Sequence, residues 1–332
     1  MAQRGAYILG CVGQSLTPDE RAFFRAADPW GFILFARNIA DPEQLKRLTG
    51  QLREAVGRNA MITIDQEGGR VQRMRAPHWR EWMPPLDQMR AAGPAHAARA
   101  MYLRYRIIAA ELLGVGIDSN CAPMADVATS ETHPFLQNRC YGDDTAIVVG
   151  AAQAASRGLL DGGVLPVLKH MPGHGRATVD SHKDLPRVSA TARSLRATDF
   201  AAFRALNDLP MAMTAHIVFE AFDSKPATTS MIMQQLIREE IGFGGLLMTD
   251  DISMQALSGT VAERSAAAIR AGCDVVLHCN GVLDEMHAVA DAAGQMSLTS
   301  ALRAKAALAM RTPAQSVDIA ALEAEFEELL TA

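Results

Sequence analysis

The sequence predicts a (β/α)8 barrel that forms a single domain. Short apolar, β-rich runs alternate with longer helical stretches along most of the 332 residues, as parallel strands joined by crossover helices do. Eight such runs with their helices take roughly 280 residues, against the ~250 plus insertions that are typical of this barrel. An open doubly wound sheet is the alternative, and it is less favoured because no glycine-rich phosphate-binding turn follows the first run.

The eight predicted strands are mostly continuous apolar runs, the pattern of strands buried on both faces. They span residues 6–12, 30–35, 61–65, 120–126, 164–168, 211–216, 246–250 and 274–278. Pro166 lies within the fifth run, where a central strand would lose a ladder hydrogen bond, so we expect an irregular strand start there. The stretch from His170 to about Arg187 is long for a strand-to-helix connection, which is typical of a functional lid or a disordered segment.

Helix signals fill the segments between these runs. Thr17-Pro18-Asp19-Glu20 combines a capping threonine, a proline at the first helical position and the glutamate of a capping box. Asp41-Pro42 again places a capping residue before a proline at the first helical position. Apolar residues at 45, 48, 52 and 56 then line one helix face. Residues 231–241 and 262–271 are further predicted helices.

Nothing in the sequence marks a second domain, since no internal repeat, low-complexity tract or linker is found. Residues 1–332 are therefore predicted to form one catalytic barrel domain. The helices from about residue 283 to 332 are expected to pack outside the barrel, with the acidic segment 318–330 as a surface helix. A monomer is the expected oligomeric state.

The composition narrows the class of partner. Apolar residues make up 49% and charged residues 21%, which excludes a disordered or collagen-like chain. The 32 basic and 37 acidic residues give a net charge of −5, so there is no basic surplus for nucleic acid or an anionic membrane surface. No apolar run approaches the ~20 residues of a membrane span. The five scattered cysteines lack CxxC spacing, so we expect reduced thiols and a cytoplasmic protein.

Polar residues follow most of the predicted strands, at the end where (β/α)8 enzymes place their chemistry. Seven of the eight runs end this way, at Arg37-Asn38, Asp65, Asp126, Lys169-His170, His216, Asp250-Asp251 and His278. Because these residues would all lie on one rim, the pattern predicts an active site there. For Asp126 and Asp251 two interpretations stay open, a site residue or a cap of the following helix.

The segment richest in candidate catalytic or metal-binding side chains lies between residues 169 and 182, which include three of the nine histidines. A metal site could use His170, His174 and His182, although a proline and several glycines make the segment less rigid than the usual zinc-binding elements. Solvent-exposed loop histidines are a second interpretation. The favoured one is general acid/base work by a histidine paired with Asp180, whose carboxylate would fix the ring tautomer and raise the imidazole pKa. Contact between Asp180 and His182, two residues apart, requires a turn at Ser181.

Two further segments carry carboxylates. Thr249-Asp250-Asp251 ends the seventh run, where a carboxylate held by donors stays ionised and can attack an electrophilic sugar carbon. In Asp65-Gln66-Glu67-Gly68-Gly69, the aspartate can accept two sugar hydroxyls and the glycine pair allows a turn without Cβ clashes. Arg70 and Arg73 supply donors on the same turn, and one of them is expected to be structural.

Four motifs resemble, in order, those of the β-N-acetylhexosaminidases in glycoside hydrolase family three. They are Gly31-Phe32-Ile33-Leu34-Phe35-Ala36-Arg37-Asn38, Asp65-Gln66-Glu67-Gly68-Gly69-Arg70-Val71-x-Arg73, Lys169-His170-x-Pro172-Gly173-His174-Gly175 with Asp180-Ser181-His182, and Thr249-Asp250-Asp251-x-Ser253-Met254. The resemblance is greatest to single-domain bacterial members that act in cell-wall recycling.

The resemblance implies roles for eight residues of this chain. Asp250 matches the position of the catalytic nucleophile, His182 that of the acid/base and Asp180 that of its dyad partner. The implied substrate-binding residues are Asp65, Arg73, Arg139, Lys169 and His170. Arg176 departs from the family, which usually has Asp or Asn before the threonine of this loop, and its effect on loop motion or leaving-group contacts stays open.

The implied activity is exo-acting, retaining hydrolysis of terminal non-reducing β-linked N-acetylglucosamine through a glycosyl-Asp250 intermediate, with no metal or organic cofactor. Peptidoglycan turnover fragments such as GlcNAc-anhydroMurNAc muropeptides are the implied substrates. Chito-oligosaccharides, and phosphate in place of water as acceptor, stay open. Three alternatives remain: a substrate-assisted hexosaminidase in which Asp250 orients the acetamido group and Asp251 is the acid, a metal-dependent barrel hydrolase, and a non-catalytic sugar-binding barrel.

Overall fold

Eight parallel strands form the centre of the computed structural model, which describes residues 4–179 and 184–331. They are β1 Gly5–Leu9, β2 Pro29–Leu34, β3 Met61–Ile64, β4 Ser119–Asn120, β5 Leu165–Met171, β6 Met211–Thr214, β7 Leu246–Asp251 and β8 Val275–His278. They pair in the order β3-β2-β1-β8-β7-β6-β5-β4. Backbone hydrogen bonds from Asp118 to Ile62 (3.1 Å) and from Cys121 to Ile64 (2.8 Å) join β3 to β4 and close the ring. The predicted (β/α)8 barrel is confirmed.

The fourth strand is shorter than predicted. Only Ser119–Asn120 pair as a strand, and a single bridge between Met124 and Lys169 continues the contact with β5. Pro123 interrupts the run because a proline has no N–H to donate to the ladder. The rest of the predicted run, up to Asp126, therefore forms the irregular segment that leads onto the rim.

Pro166 is the second residue of β5, and its lack of a backbone N–H costs the sheet no hydrogen bond. Leu165, Val167 and Lys169 donate their backbone N–H groups toward the β4 side, so the nitrogen of Pro166 faces the other neighbour, β6. Pairing with β6 begins only at Val167, opposite Met211. The proline therefore lies just before the ladder in which its missing N–H would be needed.

Helices surround the barrel between successive strands. They span Pro18–Ala27, Pro42–Val56, Pro85–Gly114, Pro134–Gln137, Thr145–Asp161, Ala192–Ala197, Asp199–Arg204, Met231–Glu239, Val261–Ala271, Leu283–Ala293, Leu298–Ala309 and Ile319–Thr331. The predicted capping box is present, since Glu20 N–H donates to Thr17 Oγ1 at 3.1 Å and Thr17 N–H donates to Glu20 Oε2 at 2.9 Å. The long helix Pro85–Gly114 is broken at Gly93, whose φ is 66°, in front of Pro94.

Short strand pairs and turns complete the rim. Gln66–Gly68 pairs with Val71–Gln72 after β3, and Arg187–Val188 pairs with Val218–Phe219. The last helix, Ile319–Thr331, lies against Pro85–Gly114 and its flank, where the rings of Phe326 and Trp82 meet at 5.4 Å. Within the two described ranges, no helix has both the length and the apolar character needed to cross a bilayer.

The core has two layers. One lies between the strands and the helices, and the other fills the inside of the barrel with residues such as Ile8, Ile33, Met61, Val167, Met213, Met248 and Leu277. Ile33, Met213 and Leu277 also form the floor of the cavity at the carboxyl ends of the strands. Because the barrel interior is packed with side chains, the cavity opens at its rim.

Candidate active site

One cavity of about 430 Å³ opens at the carboxyl ends of the strands. Six of the eight residues predicted for the site line it: Asp65, Arg73, Arg139, Lys169, His170 and Asp250. They come from the ends of β3, β5 and β7 and from the loops that follow β3 and β4. The other two, Asp180 and His182, lie outside the described residues.

Asp65 follows β3 and contacts two cations. Lys169 Nζ lies 3.0 Å from Oδ1, and Arg73 Nη2 donates to Oδ2 at 2.9 Å. Burial opposes ionisation of this carboxyl group, but Lys169 and Arg73 outweigh it and hold the pKa of Asp65 well below its usual range. Asp65 lines the cavity, and a carboxylate has about four acceptor sites, so these two contacts leave it acceptor capacity for a ligand.

Arg70 and Arg73 both line the cavity but make different contacts. Arg73 pairs with Asp65, and its guanidinium also lies 5.0 Å from the ring centre of Phe35. Arg70 lies over the ring of Phe135, with 3.3 Å between the guanidinium carbon and the ring centre. The turn that carries both arginines therefore brings one cation to a carboxylate and the other to an aromatic face.

Glu67 is a buried acid that the sequence analysis did not assign. Arg139 donates from Nε and Nη2 to its two oxygens at 2.9 and 2.8 Å, and Lys169 Nζ lies 2.5 Å from Oε1. Burial opposes its ionisation, but Arg139 and Lys169 outweigh it and lower the pKa of Glu67 to about 2. The signal that could have found it is its place two residues after Asp65, within the same motif.

Asp126 is fully buried and contacts two histidines that line the cavity. Its carboxylate lies 2.7 Å from His170 Nδ1 and accepts the backbone N–H of His174 at 2.6 Å. Burial opposes its ionisation, but His170 outweighs it and the pKa of Asp126 is lowered. The ionised carboxylate is thus the acceptor and His170 Nδ1 carries the proton. Of the two interpretations left open for Asp126, the structure supports the site residue.

His170 and His174 are buried, so the interpretation of solvent-exposed loop histidines is wrong for these two. Burial, reinforced by the neighbouring His170, lowers the pKa of His174 to about 3, which keeps this ring neutral near pH 7. Its Nδ1 is buried and has no hydrogen-bond partner in the described part of the chain. Sequence reasoning considered His174 only as a metal ligand or an exposed loop residue.

The end of β7 carries Asp250 and Asp251 in different settings. Both side chains line the cavity, and Asp250 Oδ1 accepts the backbone N–H of Asp251 at 2.8 Å. Asp251 accepts from the backbone and hydroxyl of Ser253 at 3.1 and 2.7 Å and from the backbone N–H of Cys279 at 3.2 Å. It therefore shapes the turn after β7 and ties it to β8. It does not cap the following helix, which begins only at Val261.

His216 supports the same turn from β6. Its Nε2 lies 3.0 Å from the backbone carbonyl of Asp251, and its Nδ1 lies 2.7 Å from the hydroxyl of Thr228. A carbonyl can only accept, so Nε2 carries the proton. Burial lowers the pKa of His216, which favours this neutral tautomer. The rim position of His216 noted in the sequence is thus a contact that fixes the backbone next to Asp250.

Arg176, the departure from the family pattern, lies in the segment after β5. Its Nε donates to Asp199 Oδ2 at 2.7 Å, and its Nη2 donates to Thr198 Oγ1 at 2.9 Å and Ser194 Oγ at 3.2 Å. It does not line the cavity. Arg176 therefore attaches the start of the loop to the helices Ala192–Ala197 and Asp199–Arg204.

The metal alternative has incomplete support. Within residues 4–179 and 184–331, no three or more His, Cys, Asp or Glu side chains are arranged to hold a metal ion. His170 already uses Nδ1 in its contact with Asp126. His182, the third ligand of that alternative, lies outside the described residues.

Comparisons with known proteins show the family of the chain. Residues 17–309 match the family described as the glycosyl hydrolase family 3 N terminal domain. A β-hexosaminidase of Alkalilimnicola ehrlichii is 36% identical over 282 residues, which are 83% of this chain and 81% of that protein. One from Vibrio cholerae is 36% identical over 284 residues, 83% of each chain. The crystal structure of NagZ from Neisseria gonorrhoeae in complex with N-trifluoroacetyl-D-glucosamine is similar with a TM-score of 0.85 at 30% identity, over 99% of this chain and 96% of that one.

A barrel whose rim brings carboxylates and cations to one cavity is suited to a glycoside hydrolase. The match over residues 17–309 and the relatives at 36% identity show that the chain belongs to glycosyl hydrolase family 3. The resemblance found in the four motifs is thereby confirmed, as is the prediction of a glycoside hydrolase.

Proposed function

We propose that the protein is an exo-acting, retaining β-N-acetylglucosaminidase that removes terminal non-reducing β-linked N-acetylglucosamine. The observation that carries the proposal is that Asp250 shares one cavity with the cluster of Asp65, Arg73 and Lys169. A sugar whose hydroxyl groups are bound by the cluster would have its anomeric carbon within reach of Asp250. The relatives described as β-hexosaminidases, and the N-acylglucosamine bound in the Neisseria structure, support this substrate class.

In the proposed mechanism, Asp250 attacks the anomeric carbon while His182 protonates the leaving oxygen. His182, with Asp180 as its dyad partner, then deprotonates the water that releases the sugar. The two displacements together retain the anomeric configuration. The oxocarbenium-like transition state carries positive charge, so an anionic Asp250 stabilises it more than the neutral ground state. The assignments of Asp180 and His182 rest on the motif alone.

The proposed substrate-binding residues are Asp65, Arg73, Arg139, Lys169 and His170. Arg73 and Lys169 keep Asp65 ionised, so it acts only as an acceptor of sugar hydroxyl groups. Lys169 and Arg139 act only as donors. A neutral sugar with several hydroxyl groups, each both a donor and an acceptor, suits this mixture of fixed donors and acceptors.

The substrate-assisted alternative is less well supported. It requires Asp251 to serve as the acid, and an acid must hold a proton on one carboxyl oxygen and deliver it to the leaving group. Both oxygens of Asp251 already accept hydrogen bonds, from Ser253 and from Cys279. Protonation there would disturb the turn after β7, so we assign no acid role to Asp251.

A trapping experiment tests the nucleophile. The protein would be incubated with a slow fluorinated N-acetylglucosaminide, digested and analysed by mass spectrometry. We expect one sugar adduct on the peptide that contains Asp250, and none with Asp250→Asn. A protein that releases product without any adduct, or that forms it on another residue, contradicts the assignment. Activity that survives exhaustive chelation argues against the metal-dependent alternative.

The natural aglycone is the finer part of the proposal. We propose peptidoglycan turnover fragments, in which N-acetylglucosamine is linked to anhydro-muramic acid, because the motifs are most similar to those of cell-wall recycling enzymes. The test is the ratio of kcat/KM for such a fragment to that for chitobiose. A ratio below one would favour chito-oligosaccharides as substrates.

A further inference from the structure

Glu67 is a buried charge to which the proposed mechanism gives no role. Its side chain is 1% exposed, and its backbone carbonyl accepts a hydrogen bond from Arg104 Nε at 3.1 Å. The next residue, Gly68, has a φ of 111°, and a Cβ there would collide with the guanidinium of Arg104. The backbone that carries Glu67 is therefore fixed against the helix Pro85–Gly114.

The side chain of Glu67 joins two cations that line the cavity, Lys169 from β5 and Arg139 from the loop that follows β4. Arg139 offers five N–H donors, and two of its nitrogens are engaged with the two oxygens of Glu67. This two-point contact fixes the plane and the rotation of the guanidinium. The N–H groups that remain on Arg139 can then point in only one set of directions.

The ammonium group of Lys169 is fixed in a similar way. It has three N–H donors, and its nitrogen lies 3.0 Å from Asp65 Oδ1 and 2.5 Å from Glu67 Oε1. Two carboxylates in contact with a tetrahedral ammonium group define the direction of the third N–H. With Asp65 alone, the group could rotate about a single contact.

We propose that Glu67 is a positioning residue for sugar recognition, which sets the directions in which Lys169 and Arg139 present their remaining N–H donors to the substrate. The inference rests on the proposed function. Donors that are held before the substrate arrives lose little rotamer freedom on binding, so each hydrogen bond contributes more to affinity.

Glu67 also affects the charge of Lys169. Burial favours the neutral amine, and the carboxylates of Asp65 and Glu67 oppose it, so that the pKa of Lys169 is raised. In Glu67→Gln only Asp65 would remain, and the balance would shift toward the effect of burial. The pKa of Lys169 would then fall, and the amine would lose its proton at a lower pH than in the wild type.

The experiment compares Glu67→Gln, Glu67→Asp and the control Glu111→Gln with the wild type. Glu111 is a partly buried glutamate on the same helix as Arg104, and it does not line the cavity. KM and kcat for a nitrophenyl β-N-acetylglucosaminide would be measured from pH 6 to pH 10, and thermal unfolding would be followed for each variant.

Glu67→Gln should raise KM about 10- to 100-fold and change kcat less, because small displacements of positioning groups have effects of that order. Its kcat/KM should also decline at a lower alkaline pH than that of the wild type. Glu67→Asp keeps the charge but is one methylene shorter, so its KM should be intermediate and its alkaline decline should match the wild type. Glu111→Gln should match the wild type in both properties.

Two results would overturn the inference: a Glu67→Gln variant with wild-type KM and pH dependence, or Gln and Asp variants that lose kcat and KM alike with no difference in pH profile. If Glu67→Gln does not fold, Glu67→Asp decides, because an unchanged KM in that variant contradicts the positioning role.

Calorimetric binding of N-acetylglucosamine separates this inference from the proposed function. Wild-type protein that binds the sugar without turnover defeats the proposed function, and weaker binding by the Glu67 variants would still support the role of Glu67.

Discussion

The contacts of Asp126 predict the effect of an asparagine at that position. The carboxylate lies 2.7 Å from His170 Nδ1, 2.6 Å from the backbone nitrogen of His174 and 3.3 Å from that of His170. In Asp126→Asn the amide oxygen can still accept from His174. The amide NH2 would face His170 Nδ1–H, donor against donor. The imidazole would therefore have to give up the proton on Nδ1 so that this nitrogen can accept, which leaves Nε2 as the N–H of the ring.

The size of the effect follows from the two short contacts. A hydrogen bond to a charged group contributes about 1.5–3 kcal/mol, against about 1 kcal/mol for a neutral one. Two bonds that lose their charge should therefore lower the free energy of unfolding by about 1–4 kcal/mol. Asp126→Ala removes the acceptor altogether and leaves three buried donors without a partner, for a loss of at least about 3 kcal/mol. The free energy of unfolding should increase in the order Asp126→Ala, Asp126→Asn, wild type, and this order is the stricter part of the prediction.

The change at His170 should also weaken substrate binding and raise KM. In the wild type, Asp126 holds a proton on His170 Nδ1, whereas in Asp126→Asn the N–H of the ring would be at Nε2, so the hydrogen bond that His170 can make to a sugar hydroxyl would change. The loss of one hydrogen bond to a sugar hydroxyl corresponds to a KM about ten times higher, at ~1.4 kcal/mol per factor of ten.

The assays are urea unfolding followed by tryptophan fluorescence, KM for a nitrophenyl glycoside, and 15N NMR of the histidine ring nitrogens. Asp143→Asn is the control, since Asp143 is exposed and a surface substitution should change the free energy of unfolding by less than ~0.5 kcal/mol. Wild-type stability and KM in Asp126→Asn would refute the reasoning. So would a wild-type spectrum in which His170 Nδ1 carries no proton.

Three further predictions concern single positions. Asp250→Asn should keep the urea midpoint of the wild type and lose several powers of ten in kcat, each ~1.4 kcal/mol of activation free energy, and a variant with a tenth of wild-type turnover would contradict a nucleophilic role. Glu111→Gln should be more stable than the wild type at pH 8 and not at pH 4, as measured by urea unfolding. Burial raises the pKa of Glu111 to about 7, whereas the carboxyl group of the unfolded chain releases its proton above ~4.3. Between these two pH values the folded state binds one proton more than the unfolded state. The free energy of unfolding of the wild type therefore falls as the pH rises through this range, by at most ~3 kcal/mol. Arg176→Met should lower the free energy of unfolding by about 1–3 kcal/mol because it leaves the buried Asp199 without its cation, and a double-mutant cycle with Asp199→Asn that shows no coupling would contradict it.

The sequence predicted the barrel well because its strands are buried on both faces. A continuous apolar run bounded by turn residues needs no partner to be recognised, and all eight runs became strands. The fourth was predicted too long, since apolar character continues past Pro123 while the N–H needed for pairing does not. The helix predicted for residues 231–241 ends at Glu239, within the usual uncertainty of helix ends.

The rim could be predicted for a topological reason. The carboxyl ends of parallel strands in a closed barrel must meet, so residues far apart in sequence share one surface. The order of strands and helices alone is therefore enough to place Asp65, Lys169 and Asp250 on one rim, and the three residues line one cavity. The role of each residue came from the motifs, which strand periodicity does not supply.

Pairings inside the site could not be predicted in this way. Glu67 meets Arg139 across 72 residues of sequence, and Asp126 meets His170 across 44. A carboxylate at a strand end has the same local pattern whether it caps a helix or contacts another loop, so Asp126 stayed ambiguous. The choice depends on how two loops pack on neighbouring strands, which is a tertiary property.

These pairings have a common physical cause. A sugar carries no charge, so it cannot neutralise a cation that is buried beneath it, and a buried cation without a partner is strongly destabilising. Lys169 and Arg139 are among the most enclosed charges of the cavity, and both contact Glu67. The carboxylate partners must therefore be part of the protein itself. Selectivity for a neutral ligand then depends on the direction of the remaining donors, and this direction is fixed by buried acids that contact no reacting atom.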